Sequence, residues 1–399
     1  NSFVVTVKDA YGNTVTGASV TFAISSVPAG AAGQVLSVTS AATDVNGQAQ
    51  TVLTLGNKTG DYVVTVSYAG LTSVNFTATG LAGVPYKVVL SGPGSSNAGV
   101  VSTAFSAIIK DAYDNITNVV TATSFLLTSN AATGSFYSDS GGITSISSIT
   151  VASATSSAAF YYKDTAIGIP AVTAARSAGD SLNVGSSSAS INILAAGLDH
   201  FAVTGSTTTL TAGGLRPITI TAYDTYDNVK TNLNSDVAIV FSGANASPTP
   251  SSNSPTSSNN LGNDINFGAD TLLTFTNGAA TATLKLYKAE SVLIKASAVP
   301  VTTSNAQALG FVVKHNTADH LKFSGTVNGA TVGTAISLGA LNAVDLYNNL
   351  CDGVNAGIPY TGSKTISYVL SGLTNAPDGS ATDLWPTNLV SFTNGVSAA

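Results

Sequence analysis

Four times the sequence places an aspartate two residues before a tyrosine and four before an asparagine. The copies are Asp9-Ala-Tyr-Gly-Asn13, Asp111-Ala-Tyr-Asp-Asn115, Asp224-Thr-Tyr-Asp-Asn228 and Asp345-Leu-Tyr-Asn-Asn349. Side chains of these types can do two things at this spacing. Asp and Asn hydrogen-bond to nearby backbone and tolerate left-handed conformations, so the element reads first as a turn whose tyrosine packs across the end of a domain. Carboxylates brought together at such turns could instead bind calcium, which takes about six to eight oxygens from carboxylates and carbonyls. A turn facing the preceding domain would gather Asp199, Asp224 and Asp227 at one junction and Asp319 with Asp345 at the next; Asp111 and Asp114 belong to the junction before them. Two or three carboxylates per junction are few for calcium, and no other cofactor is suggested.

Other reactive types are sparse. Glutamate occurs once, at Glu290, so paired carboxylates for glycoside hydrolysis have little to draw on. His200 and His320 occupy equivalent positions where the second repeat has Tyr86, which reads as packing, and His315 has no Cys or His partner at a metal-binding spacing. Cys351 stands alone, so no intrachain disulfide forms. No nucleophile elbow, phosphate loop or zinc motif is present, and the chain reads as a non-enzyme. Asn57, Asn75, Asn115 and Asn245 head Asn-x-Ser/Thr sequons and are the candidate glycan acceptors.

The elements that must position these residues are strands. Phe3, Val5 and Val7 alternate with polar or small residues before the first turn; Phe105, Ala107 and Ile109 do so before the second, and Ile218, Ile220 and Ala222 before the third. Period-two alternation sends one set into a core and the other to solvent. β-rich runs follow each turn, at Val20–Ile24, Phe125–Leu127, Ala238–Phe241 and Ile366–Leu370, with later strands such as Tyr62–Tyr68 and Val292–Ala296. A second marker precedes the turn in three copies, at Val84–Gly92, Leu198–Gly205 and Ala318–Gly325. A third follows it, at Phe275–Gly278 and Phe392–Gly395, with Thr43–Gly47 as its looser first form. Successive turns lie 102, 113 and 121 residues apart, the size of a sandwich domain and not of a solenoid unit.

The expected fold is therefore all-β, with tandem sandwich domains at 1–82, 83–196, 197–315 and 316–399. On this reading the first domain lacks its opening strand and the last its final strands, supplied by more chain or by a neighbouring molecule. The segment 245–263, rich in Ser, Pro and Asn, is expected to be a mobile loop without a core, suited to carry a glycan.

Domain one, with Val5-Thr-Val-Lys-Asp-Ala-Tyr-Gly-Asn13, Gly17-Ala-Ser-Val-Thr-Phe22, Thr43-Asp-Val-Asn-Gly-Gln-Ala49 and Gly60-Asp-Tyr-Val-Val-Thr-Val66, resembles bacterial immunoglobulin-like repeats of the invasin and intimin type. The match weakens through the later domains, where the Asp-x-Tyr-x-Asn turn persists. The resemblance implies immunoglobulin-like sandwiches forming a rigid rod on a cell surface, as in adhesin stalks, surface layers and extracellular filaments.

Composition narrows the role. Only 9% of the 399 residues are charged, against a usual share of about a quarter, and the net charge is −6. An acidic chain lacks the basic footprint of a nucleic-acid binder. No run of about 18 apolar residues could span a membrane as a helix. Few surface charges mean little repulsion between copies and little desolvation when faces meet. The expected partners are other copies of the chain in a filament, sheath or surface layer, with glycans as a further partner class. A spacer stalk for an adhesin is the alternative, and both place the chain outside the cell.

Overall fold

The computed structural model describes residues 2–325, 339–367 and 389–398. The chain divides into two compact units, Asn1–Leu194 and Ala195–Ala399. Among the described residues the regular structure is strands, apart from two single-turn 3-10 segments at Asn305–Gln307 and Val354–Ala356.

In the first unit, strand Ser2–Thr6 pairs antiparallel with Gln48–Thr54, which also pairs with Val35–Leu36. A second sheet runs in the order Ser40–Ala42, Ser19–Ser26, Gly60–Ser67, Val74–Gly80. The inward residues of both sheets, among them Val7, Val20, Phe22, Ala49, Val64 and Val66, form one core. The alternation read in the sequence is the reason: Val20 and Phe22 are buried while Ser19, Thr21 and Ala23 face outward.

The same plan recurs in this unit with a larger aromatic core. Lys87–Ser91, Phe105–Lys110 and Ser157–Lys163 lie side by side in one sheet. Thr123–Ser129, flanked by Ser148–Val151 and Ala171–Ala178, leads the other, which ends at Ser186–Ser190. Phe105 stacks on Phe160 with ring centroids 5.2 Å apart, and Phe136 meets Phe160 edge-on at 5.9 Å. Beside them Tyr162 donates its hydroxyl hydrogen bond to buried Asp164 at 2.7 Å. Its own phenol is held above the usual tyrosine range, chiefly by burial.

In the second unit, strands Leu198–Gly205, Leu215–Asp224 and Ala279–Lys285 face a sheet containing Asp236–Ser242, Asp270–Thr274, Ser291–Ala298 and Leu309–Lys314. They enclose Phe201, Ile220, Ile239, Phe241, Phe275 and Ile294. A further sheet runs in the order His320–Phe323, Leu341–Val344, Val396–Ser397, Leu389–Thr393, Gly362–Thr365, with Leu341, Ala343 and Phe392 at its core. The chain is thus a set of tandem immunoglobulin-like β-sandwiches. The Asn-Gly pairs at 277–278 and 394–395 close hairpins with both residues at positive φ (50° and 79°, 48° and 79°), as two-residue hairpin turns require.

Two expectations change. The segment 245–263 is not a coreless loop. Its Thr256–Ser258 forms a strand that pairs with Ala279–Lys285 and with Asp264–Asn266, and Thr256 and Ser257 are buried. Pairing of the backbone lets short side chains lie in a β interior, which a composition-based reading overlooks. Of the run expected at Ile366–Leu370, residues 366–367 follow the strand Gly362–Thr365 without belonging to it, and residues 368–370 lie outside the described residues.

Candidate functional site

The four Asp-x-Tyr-x-Asn elements fold as one local motif. In the first, Asp9 Oδ1 accepts the Tyr11 and Asn13 amides, both at 2.9 Å, while Asn13 Nδ2 donates to Asp9 Oδ2 at 3.0 Å. The backbone closes the loop as Asp9 N donates to Asn13 O and Gly12 N to Asp9 O. The other three copies repeat this pattern around Asp111, Asp224 and Asp345. A carboxylate accepting several N–H groups is the physical basis of such a turn.

In those three copies each carboxylate also takes a donor from the chain leading into the sandwich. Gly83 N donates to Asp111 Oδ2 at 2.9 Å, Ala196 N to Asp224 Oδ2 at 2.9 Å, and Asn316 N to Asp345 Oδ2 at 2.8 Å. Asp111, Asp224 and Asp345 are buried. Burial alone would raise the Asp111 carboxyl, but the Asn115 side chain and the Gly83, Asn115 and Tyr113 amides outweigh it and hold the group below the ordinary aspartate value. Asp224 is held low in the same way by Asn228, Ala196 and Tyr226 donors.

In the second and fourth copies the closing asparagine reaches across to the preceding sandwich. Asn115 Nδ2 donates to Asn57 O at 3.1 Å, and Thr59 N donates back to Asn115 Oδ1 at 3.2 Å. Asn349 does the same with Tyr287 O at 2.7 Å and Ala289 N at 2.8 Å. The carboxamide thus stands in for a strand peptide, bonding the carbonyl of one residue and the amide two residues on. Around it, Lys58 Nζ donates to Tyr113 O at 2.6 Å. The Tyr347 ring meets Tyr287 edge-on at 5.1 Å. It also fills the space above Gly213, where a Cβ would lie 2.2 Å from the Tyr347 hydroxyl. The segment 245–263 adds a brace to the second of these joints. Lys322 Nζ donates to Thr249 O at 2.8 Å, and Asn348 Nδ2 donates to Ser251 Oγ. The lone glutamate anchors the brace, Glu290 accepting the Asn245 amide at 2.7 Å and its side chain at 2.9 Å.

The aspartates singled out from sequence are set against donors and cations, not against each other. Asp114 faces Lys87 at 2.9 Å, with Lys110 at 4.0 Å, and its carboxyl is lowered mainly by the Lys87 hydrogen bond. Asp199 and Asp227 flank His200 at 3.0 and 3.6 Å, and that ring lies flat on Tyr223. Asp319 contacts His320 at 3.0 Å. Among the described residues, no three His, Cys, Asp or Glu side chains converge as a metal-binding group. Cys351 is buried behind the last joint, and burial, with Asp345 and Asp352 nearby, pushes its thiol up to about 11.

Of the sequon asparagines, Asn115 needs correction as a surface acceptor. It is buried, and its amide nitrogen serves both Asp111 and Asn57. A sequon records three residue types and carries no information on burial. The participants missed from sequence are Gly83, Ala196, Asn316, Asn57 and Tyr287. The linker donors sit 28 or 29 residues before their aspartates, a regular offset that could have pointed to them.

The depressed Asp111 and Asp224 values fix a pH dependence. A carboxyl whose folded pKa lies below its unfolded value of about 3.9 adds stability above that value and loses it as pH falls through the folded pKa. Thermal melts should therefore fall between about pH 5 and pH 2. Asp111→Asn should flatten that acid limb for the first unit, and an unchanged limb would count against the joint's role.

No protein-family model matches the chain, and no curated protein does. Solved structures similar to it include invasin, a bacterial integrin-binding protein, at 15% identity and a TM-score of 0.35 over 82% of this chain and 59% of that one. The chain thus spans less than two thirds of the invasin chain. The Escherichia coli adhesin FdeC is similar at 19% identity and a TM-score of 0.38, over 79% of this chain and 91% of that one. Domains 4–9 of the surface layer protein SbsC are similar at 16% and 0.21, over 80% and 43%. The resemblance is to bacterial adhesins and a surface-layer protein. No helix among the described residues is long and apolar enough to cross a membrane.

Proposed function

We propose that the chain is a structural, non-catalytic subunit of an extracellular assembly, with repeats at 1–82, 83–196, 197–315 and 316–399 as its modules. The observation that carries this is an uncharged outer face. Across the sheet of Ser148–Val151, Thr123–Ser129, Ala171–Ala178 and Ser186–Ser190, the outward positions include Ser148, Thr150, Ser124, Leu126, Thr128, Thr173 and Ser188, with no charge among them, and the one charged residue in these four strands is exposed Arg176 toward a strand end. Thr173 and Ser188 hydrogen-bond across the strands at 2.6 Å, as do Ser124 and Thr150 at 2.8 Å. Short side chains already partnered within the sheet let another copy approach closely without stripping water from charges. A surface location suits this composition.

Negative-stain electron microscopy of the native protein tests the proposal. Ordered filaments or sheets are expected from the wild type, and dispersed particles from Thr173→Lys, which puts a charge on that face. Chelator should leave the order intact, because the junction carboxylates already hold N–H donors; its collapse in chelator would instead support calcium at Asp111, Asp224 and Asp345. Dispersed wild-type particles would favour the second reading, an adhesin spacer. That reading draws on the joints, which tie one sandwich to the next.

A further inference from the structure

We propose that Asn75 is an N-glycan acceptor, selected by the fold from four sequons that the sequence alone leaves equivalent; this rests on the extracellular reading above. Three of the four asparagines are committed elsewhere. Asn115 is buried with its Nδ2 shared between two acceptors. Asn57 is half-buried in the first joint, its side-chain oxygen taking the Ala32 amide and its carbonyl taking Asn115. At Asn245 the Nδ2 donates to Glu290, and the sequon hydroxyl residue, Ser247, is buried.

Asn75 alone of the four combines an exposed asparagine with an exposed hydroxyl residue two positions on. It is exposed on strand Val74–Gly80, paired opposite Thr65. Its carboxamide lies 2.8 Å from Thr65 Oγ1 across the strand pair, which orients it. Thr77, the sequon hydroxyl, is also exposed and lies two residues on, on the same face of the strand. The strand is outermost in its sheet and contains no charged residue and no proline. Uncharged edges are templates for unwanted pairing unless something covers them, and a glycan rooted at Asn75 would do so.

The reaction needs a lipid-phosphate-linked oligosaccharide as co-substrate. A bond forms between Asn75 Nδ2 and the anomeric carbon of the sugar. The bond from that carbon to the donor phosphate oxygen breaks, the lipid phosphate leaves with the electron pair, and Nδ2 loses one proton to the transferase.

The test is peptide mass spectrometry on the full chain isolated from the surface fraction of its native cells. Trypsin releases residues 59–87 as one peptide that contains Asn75 and none of the other sequon asparagines. That peptide is expected to carry a sugar mass, which Thr77→Ala removes and Thr77→Ser retains, while the peptides holding Asn57, Asn115 and Asn245 stay bare. A bare 59–87 peptide from surface-located protein would overturn the glycan proposal and leave the surface reading standing. Protein found only inside the cells would overturn the surface reading and the proposal with it.

Discussion

Asp345→Ala and Asp111→Ala should each cost about 3–4 kcal/mol in the unit that carries them, well above the usual effect of a single substitution. Each aspartate is buried and accepts two amides of its own turn, the asparagine side chain, and one amide of the incoming linker. Alanine leaves these donors without an acceptor in a space too confined for water to replace a carboxylate fully. An unsatisfied buried donor costs about 1–3 kcal/mol, and partial relaxation keeps the total below the sum. Asp9→Ala is the comparison: the same turn with the same local bonds, exposed, and with no linker amide on its carboxylate among the described residues. Urea titration should show a clear loss for Asp111→Ala and a much smaller one for Asp9→Ala. Hydrogen exchange should speed at the Gly83 amide in the Asp111 variant alone. Equal losses at Asp9 and Asp111 would mean the element is only a turn and the joint adds nothing.

Asn115→Ala separates the two halves of the joint. It leaves the Asp111 carboxylate its linker and turn amides but removes both bonds to the Asn57–Thr59 backbone together with the side-chain bond to Asp111 Oδ2. The contrast between the two variants therefore assigns stability to the clamp on the linker or to the bracket on the preceding sandwich.

What was legible in the sequence follows from distance along the chain. The bonds of the turn span two and four residues, so Asp111, Tyr113 and Asn115 announce it by their spacing. Burial of Phe105, Ala107 and Ile109 is equally local, because a strand alternates regardless of its partner. The bracket from Asn115 to Asn57 spans 58 residues and the clamp from Gly83 to Asp111 spans 28. No propensity encodes such contacts, and only repetition of the whole domain could have hinted at them. Asn115 was misjudged for that reason: its sequon is local and its burial is not. The 245–263 segment failed differently. Ser and Thr are rightly read as polar, but Ser257 lies inside a sheet where its backbone pairs with Leu284 and Asn266's strand covers the other side. Polarity there describes the side chain, while the backbone decides the placement.

Phe160→Ala should destabilise the first unit by about 3–5 kcal/mol and leave the second unit's transition where it was. Phe160 is fully buried, stacked on Phe105 and met edge-on by Phe136. Removing its ring takes away both the transfer free energy and two aromatic contacts, and it leaves a cavity whose walls are strands held in register on either side. The confinement of the effect follows from tandem construction. The residues of the Phe201–Phe241–Phe275 core belong to other sheets, with none shared with the sheets around Phe160. Cores that share no residues melt as separate cooperative units except for what their joints transmit. Differential scanning calorimetry should therefore resolve a lowered transition beside an unmoved one. If Asp111→Ala is then combined with Phe160→Ala, the two losses should add, because the hydrogen-bond partners of the clamp and the ring partners of the core are different residues of the same sandwich. A single transition that shifts as a whole would show instead that the chain melts as one body, with the joints strong enough to couple every core.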